Sequence, residues 1–246
     1  FSWSSGSFDS MHPFTRVGRP AVLSSLFFES MLGGTADEIG SAYCLLCSEF
    51  TYPEDRSYVE FTLRDDVEFS DGTPMTASDA LFSYEILRDE GLPSFQANLP
   101  LTIDRAEVID DRTIRYVFNP SAPLRERIQY AGALPVLSQA SHEASGLDFA
   151  ESRLEPLIGS GPYILGEVEP GQRTVFVRNR DYWGDAHWLN IGRNNFDSIR
   201  IEYYGDSLAA FEGFTAGNYT FRQESSSQAW ANNYDFPALA NGTVIR

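Results

Sequence analysis

The sequence predicts an α/β protein whose core comes from burial, and three observations carry that reading. Apolar and polar residues alternate with period two in several short runs, capped helical patterns lie between them, and residues 198–222 read as strand, helix, strand. Hydrophobic residues make up 42% and charged residues 22% of 246 positions, which excludes a disordered chain. No run of about 18 uncharged apolar residues is present to cross a bilayer as a helix. At 27.5 kDa the length suits one large domain or two small ones.

Taken in order, the first few residues are expected to join a strand. Residues 20–32 place Val22, Leu23, Leu26, Phe27, Met31 and Leu32 at helical spacings before Gly33-Gly34, predicting a short amphipathic helix. Residues 58–64 alternate strictly, so Val59, Phe61 and Leu63 should face a core. A turn at Ser70-Asp71-Gly72-Thr73-Pro74 leads to Thr76-Ala77-Ser78-Asp79, where a threonine cap and a first-turn carboxylate start a helix at Ala77. Ala80, Leu81, Tyr84 and Leu87 share one face of that helix, which ends by Gly91-Leu92-Pro93. Strands over 104–109 and 113–118 flank Asp110-Asp111, and a second hairpin, 162–168 with 174–178, turns at Pro170-Gly171. Strand 198–204, helix 208–214 and strand 219–222 then predict a parallel pair with a right-handed crossover. Ligands commonly sit beyond the carboxyl ends of such strands, which points to Gly205-Asp206 and Gln223-Glu224-Ser225.

Charge narrows the functions. A net charge of −17 repels phosphate backbones, so no nucleic-acid partner is expected. All 18 basic residues are arginine, which removes Schiff-base and P-loop lysine chemistry. The same balance suits a solvated, salt-tolerant surface. Cys44 and Cys47 have C-x-x-C spacing, but no second pair or histidine cluster accompanies them. Two small buried side chains, a local disulfide and a metal or redox site all remain open. No nucleophile elbow occurs, since Gly159-Ser160-Gly161-Pro162 runs into a strand. Asp65, Asp66, Glu68 and Asp71 lack the order of an EF-hand loop and read as a solvated acidic loop. The aromatic residues, 18 Phe, 12 Tyr and 4 Trp, must largely fill the core. Trp230 suits cleft or core equally, and Trp183 suits a structural role.

Longer words match a family. Residues 61–79, FTLRDDVEFSDGTPMTASD, resemble the F-x-L-R-x-x-x-x-F-x-D-G-x-P-x-T-A-x-D signature of family 5 extracellular solute-binding proteins. Gly159-Ser160-Gly161-Pro162-Tyr163 and Arg178-Asn179-Arg180-Asp181-Tyr182-Trp183 are similar to that family's G-S-G-P-Y and R-N-x-x-Y-W pair. Gly6-Ser7-Phe8-Asp9-Ser10 with Pro13-Phe14, residues 192–197 and residues 230–237 resemble the Yej-type peptide and microcin C binding branch. Two positions depart from the pattern: cysteines stand where relatives carry small residues, and Thr220 stands where Asp is common.

The resemblance implies a type II periplasmic-binding-protein clamshell. Residues 1–40 and 156–246 would form the first lobe, residues 41–155 an inserted α+β subdomain, and the second lobe is expected to be missing from this sequence. No charged n-region and apolar h-region open it, so a signal peptide is expected to be absent from the chain. It further implies an ABC-importer component, periplasmic or lipid-anchored at the cell surface, monomeric, without cofactor, metal or enzymatic activity, that binds short peptides or peptide-like compounds and docks on permease subunits. The expected ligand-binding residues are Ser7, Phe8, Asp9, Arg222, Glu224, Ser225 and Trp230, with Asp9 or Glu224 meeting an ammonium and Arg222 a carboxylate. An internal Arg222–Glu224 pair is the structural alternative. Rival readings are a secreted hydrolase with an acidic pair, which turnover would reveal, and a docking module that binds no ligand.

Overall fold

The structure, a computed structural model, describes residues 2, 3 and 6–245. Along the chain, β1 (Ser2–Trp3) is followed by the small antiparallel pair β2 (Leu32–Gly33) and β3 (Tyr43–Cys44), then by β4 (Cys47–Thr51) and β5 (Tyr58–Leu63). Helices α1 (Ala77–Asp89) and α2 (Pro93–Thr102) precede β6 (Ile103–Val108) and β7 (Thr113–Phe118). Short helices α3 (Arg127–Gly132) and α4 (Gln139–Ser145) lead to β8 (Tyr163–Glu169) and β9 (Arg173–Arg178). β10 (Ser198–Tyr203), α5 (Ser207–Thr215), α6 (Ser227–Asn233) and α7 (Pro237–Ala240) complete the described elements.

One antiparallel sheet has the order β4-β5-β7-β6. Its central strand β5 buries Val59, Phe61 and Leu63 completely, as the alternation predicts, and each such side chain contributes about 2 kcal/mol of burial. Helix α1 covers that sheet through Ala80, Tyr84 and Leu87, with the Tyr84 and Tyr116 rings 6.0 Å apart, while Leu81 is only partly buried. The helix begins at Ala77 because Asp79 closes the first turn: one carboxylate oxygen accepts the Thr76 N–H at 2.9 Å and its hydroxyl at 2.8 Å. The other oxygen accepts the Gln139 N–H at 3.0 Å, and the Leu137 N–H donates to Ser83 Oγ at 2.7 Å. The cap therefore also fastens the segment that enters α4.

The second sheet has the order β1-β10-β9-β8, and β1 runs parallel to β10, with Ser2 opposite Glu202 and Trp3 opposite Tyr203. The β8–β9 hairpin turns at Gly171, whose φ of +71° favours glycine. Phe176 faces the Phe27 ring at 5.4 Å, joining this sheet to the core.

Two expectations need correction. Residues 20–32 do not form an amphipathic helix; only a 3-10 turn, Ser24–Phe27, is present. Leu23 ahead of it is left-handed at φ +67°, and the Phe27 carbonyl is taken by the Gly161 N–H at 2.9 Å, so no helix can propagate past it. Nor do residues 219–222 form a second parallel strand. Tyr219 buries its ring and donates its hydroxyl to the Ala210 carbonyl at 2.5 Å under α5, and Arg200 holds the Asn218 carbonyl at 3.0 Å. β1 instead supplies the parallel neighbour of β10.

The family words now have physical reasons. A Cβ at Gly159 would stand 1.9 Å from the Phe27 carbonyl oxygen, and one at Gly161 2.0 Å from that of Leu26, so the chain passes there only as glycine. Tyr182 and Trp183 both donate to Glu29, the indole Nε1 at 3.0 Å, and Asn190 Nδ2 donates to the Tyr182 hydroxyl at 2.9 Å. Burial outweighs these hydrogen bonds and pushes the Glu29 carboxyl up to about 7. Of the readings open for the cysteine pair, the local disulfide is the one formed: Cys44 and Cys47 are bonded across the β3–β4 corner, with Cα atoms 4.9 Å apart. In the acidic loop, Asp66 pairs with Arg64 at 2.7 Å and Asp71 accepts the Thr73 N–H at 3.0 Å. Among the described residues no group of three or more His, Cys, Asp or Glu side chains is placed to hold a metal ion.

Candidate functional site

Because β1 and β10 are parallel, their carboxyl ends lie at the same edge of the sheet. The chain leaves β1 into the loop bearing Ser7, Phe8 and Asp9, and leaves β10 toward Gly205-Asp206. Tyr203, the last residue of β10, ties the first of these loops down: its ring lies 4.6 Å from that of Phe8, and its hydroxyl accepts the Val22 N–H at 2.8 Å. Phe8 itself is in the core at 3% exposure, so it shapes the loop from beneath. Ser7 and Asp9 are exposed. Asp9 Oδ1 accepts the Arg19 N–H at 2.5 Å, and the Asp9 and Ser10 amides donate to the Arg19 carbonyl at 3.1 and 3.2 Å. Residues 9–10 are thereby clamped against Arg19-Pro20, which leaves the Asp9 carboxylate on the surface in a fixed position.

The later residues form their own cluster. Arg222 and Glu224 are paired at 3.1 Å with side chains only 7% and 6% exposed, which is the internal pairing considered from sequence. Tyr234 and Tyr219 hydroxyls each lie 3.3 Å from the guanidinium, which also sits 5.7 Å from the Phe211 ring centroid. Burial opposes both charges. Tyr219, Glu224 and Tyr234 nevertheless raise Arg222, and the Ser226 N–H and Arg222 hold Glu224 below its ordinary range. Ser225 is exposed, and Trp230 is 44% exposed with its ring 4.8 Å from Tyr234.

A cavity of about 420 Å³ lies along β10, and none of the seven residues expected from sequence to bind ligand lines it. Its wall runs from Val22 and Gln223, near the carboxyl end of β10, past Ile201 and Ile199 to Phe196 and Tyr163 near its amino end. A groove of about 490 Å³ lies between the β10 edge at Ser198 and Arg200 and residues 217–221. Cavity and groove share Phe196, Ile199 and Phe221, so residues 219–223 stand off β10 across an open gap. The sequence reading named Gln223 without assigning it to the site, and missed Val22 and Tyr203. The signal available for Tyr203 was its place at the end of a strand that delivers a loop.

This arrangement offers a concave wall and fixed polar groups. The sequence profile of bacterial extracellular solute-binding proteins, family 5 (middle region), matches residues 43–244. A probable peptide-binding protein, YejA, of Agrobacterium fabrum is 35% identical over 246 residues, covering 98% of this chain and 40% of that protein. The peptidoglycan-binding protein YepA of the same organism is 30% identical over 256 residues, covering 98% and 41%. Among solved structures, the periplasmic binding protein DppA of Helicobacter pylori in complex with the peptide STSA superposes with a TM-score of 0.73 at 17% identity, covering 96% of this chain and 48% of that one. That likeness concerns the fold. The chain spans about 40% of the length of the curated relatives it matches. Proteins of this kind are non-enzymatic binding components of transport systems, periplasmic or extracellular, which sets the hydrolase reading aside, and the chain belongs to the bacterial extracellular solute-binding proteins, family 5.

Proposed function

We propose that the protein is the substrate-binding component of an ABC importer, periplasmic or lipid-anchored at the cell surface, that captures short peptides or peptide-like compounds and delivers them to the permease. The observation that carries this reading is the parallel β1–β10 pair, whose carboxyl ends bring the Ser7–Asp9 loop to an open sheet edge. Residues 1–40 and 156–246 serve as one lobe of a clamshell, with residues 41–155 as an insert, and a facing lobe in the whole protein closes over the ligand. Closure desolvates the guest, and its preference for the shut form drives the equilibrium. Asp9, exposed and held by the Arg19 amide, is the better partner for a ligand ammonium, because Glu224 already serves Arg222. Ser7, Ser225 and Trp230 supply hydroxyls and a ring face at the rim, Phe8 supports the loop, and Arg222 takes a ligand carboxylate only by sharing it with Glu224.

Isothermal titration of the whole protein with a panel of short peptides tests this, together with native mass spectrometry of freshly purified material for retained cargo. Binding by the whole protein and no affinity tighter than micromolar for the 246-residue chain alone is the expected pattern. A tight complex with that chain alone would contradict closure, and peptide turnover or indifference to every peptide would overturn the assignment.

A further inference from the structure

The segment that follows the Ser7–Asp9 loop is fastened to the rest of the molecule through two histidines. His12 is 1% exposed among the rings of Phe14, Phe28 and Phe149, at 5.7, 5.8 and 4.8 Å. His142, on α4, packs against the same Phe149 at 5.7 Å and against Phe82 at 5.1 Å. The Phe14 amide donates to His12 Nδ1 at 3.4 Å, which puts the proton of the neutral ring on Nε2. That Nε2, like Nδ1 of His142, is buried without a hydrogen-bond partner among the described residues. Around these rings the backbone is stitched: the Met11 amide donates to the Arg153 carbonyl at 2.6 Å and the Arg16 amide to that of Phe149 at 2.8 Å.

We propose that His12 and His142 form an acid-released latch, which holds residues 11–17 on α4 and Phe149 while both rings are neutral and lets the segment open when they are protonated. Among the described residues a buried imidazolium finds no acceptor at His12 Nε2, and positive charge on His142 opposes charge on His12. The titratable group facing His12 is His142; those facing His142 are Glu90, just past α1, and Glu143 on α4, whose charges favour its protonation against the effect of burial. Burial first, and then His142, depress His12 to about 3 from an ordinary 6.5. A ring that regains its ordinary value on opening makes the open form about 30-fold more accessible at about pH 5 than at about pH 7.5. Because Ser7 and Asp9 directly precede the latch, acidification loosens the loop that the proposed function assigns to the ligand.

Hydrogen exchange read by mass spectrometry, with intrinsic rates corrected for pH, tests the latch on the whole protein. Protection factors of fragments covering residues 11–17 should lie below those of β5 at both pH values, as local opening requires, and should fall about 30-fold between about pH 7.5 and about pH 5. In His12→Phe, which keeps an aromatic ring in the cluster, and in His12→Gln, should the first not fold, the fall should shrink, with only His142 left to titrate. An unresponsive wild type, an undiminished response in the folded variant, or protection of the segment equal to that of β5 at both pH values would overturn the proposal. None of these outcomes depends on whether the ligand is a peptide.

Discussion

Glu29 offers a sharp test of how the Tyr182-Trp183 pair works. Its carboxyl ionises near 7 in the folded protein, against 4.5 as the ordinary value, chiefly because it is buried. A carboxyl raised in this way adds stability that is fully present below about pH 4.5 and is lost as pH rises through about 7; between pH 5 and pH 8 the loss is about 2.5 kcal/mol. Glu29→Gln removes the titration and keeps an acceptor oxygen for one of the two donors, Tyr182 or Trp183. Urea unfolding followed by tryptophan fluorescence, at constant ionic strength and at several pH values across that window, gives the two stability curves. Relative to wild type, the variant should gain about 2.5 kcal/mol over the window, whatever its absolute stability. The difference isolates Glu29 because every other titrating group, His12 included, is common to both proteins. Parallel curves, with a difference constant to within about 0.5 kcal/mol, would refute the assignment of a buried, near-neutral carboxyl.

Two further outcomes follow from the site and the corner beside it. Glu224→Ala should cost about 2–3 kcal/mol in urea unfolding because it strands the guanidinium of Arg222, and Arg222→Ala should cost a similar amount; the double variant should cost clearly less than their sum, and additivity would mean that the pair does not act as a unit. Reduction of Cys44–Cys47, or the Cys44→Ser, Cys47→Ser double variant, should lower stability by about 2 kcal/mol through the small loop it opens, visible as a lower melting temperature; identical melts with and without reductant would count against it.

The parts of the fold that were legible in sequence are those whose local pattern and tertiary role agree. β5 alternates because one face is buried, and α1 starts where Thr76 and Asp79 can close a turn. Residues 20–32 misled because their apolar spacing serves separate neighbours: Phe27 meets Phe176, and Val22 lines the cavity beside β10. Periodicity cannot tell a helical stripe from side chains drawn apart by tertiary contacts. α2 was missed because Gly91-Leu92-Pro93 read only as the end of α1, yet Pro93 sits in the first turn of a new helix, where it is tolerated. α3 and α4 span six and seven residues, too short for a repeat to show. At the candidate site, the residues expected from sequence lie outside the lining of the cavity along β10, and the pairing of Arg222 with Glu224 was only one of two readings, since spacing of two residues fits either. Glu29 gave no signal by itself. The clue was indirect: Tyr182 and Trp183 each bring a polar tip to a buried place and need an acceptor there.

The crossing of Gly159 and Gly161 over Leu26 and Phe27 bears on how accurately the molecule can be assembled. Most seams between segments contain side chains, which switch rotamers and absorb small errors of placement. Here main chain rests directly on main chain, and the Gly161 amide is fixed to the Phe27 carbonyl. With no adjustable shim at that joint, the β8–β9 hairpin and the turn carrying Val22 move as one piece, so a displacement imposed at either end must reappear at the other.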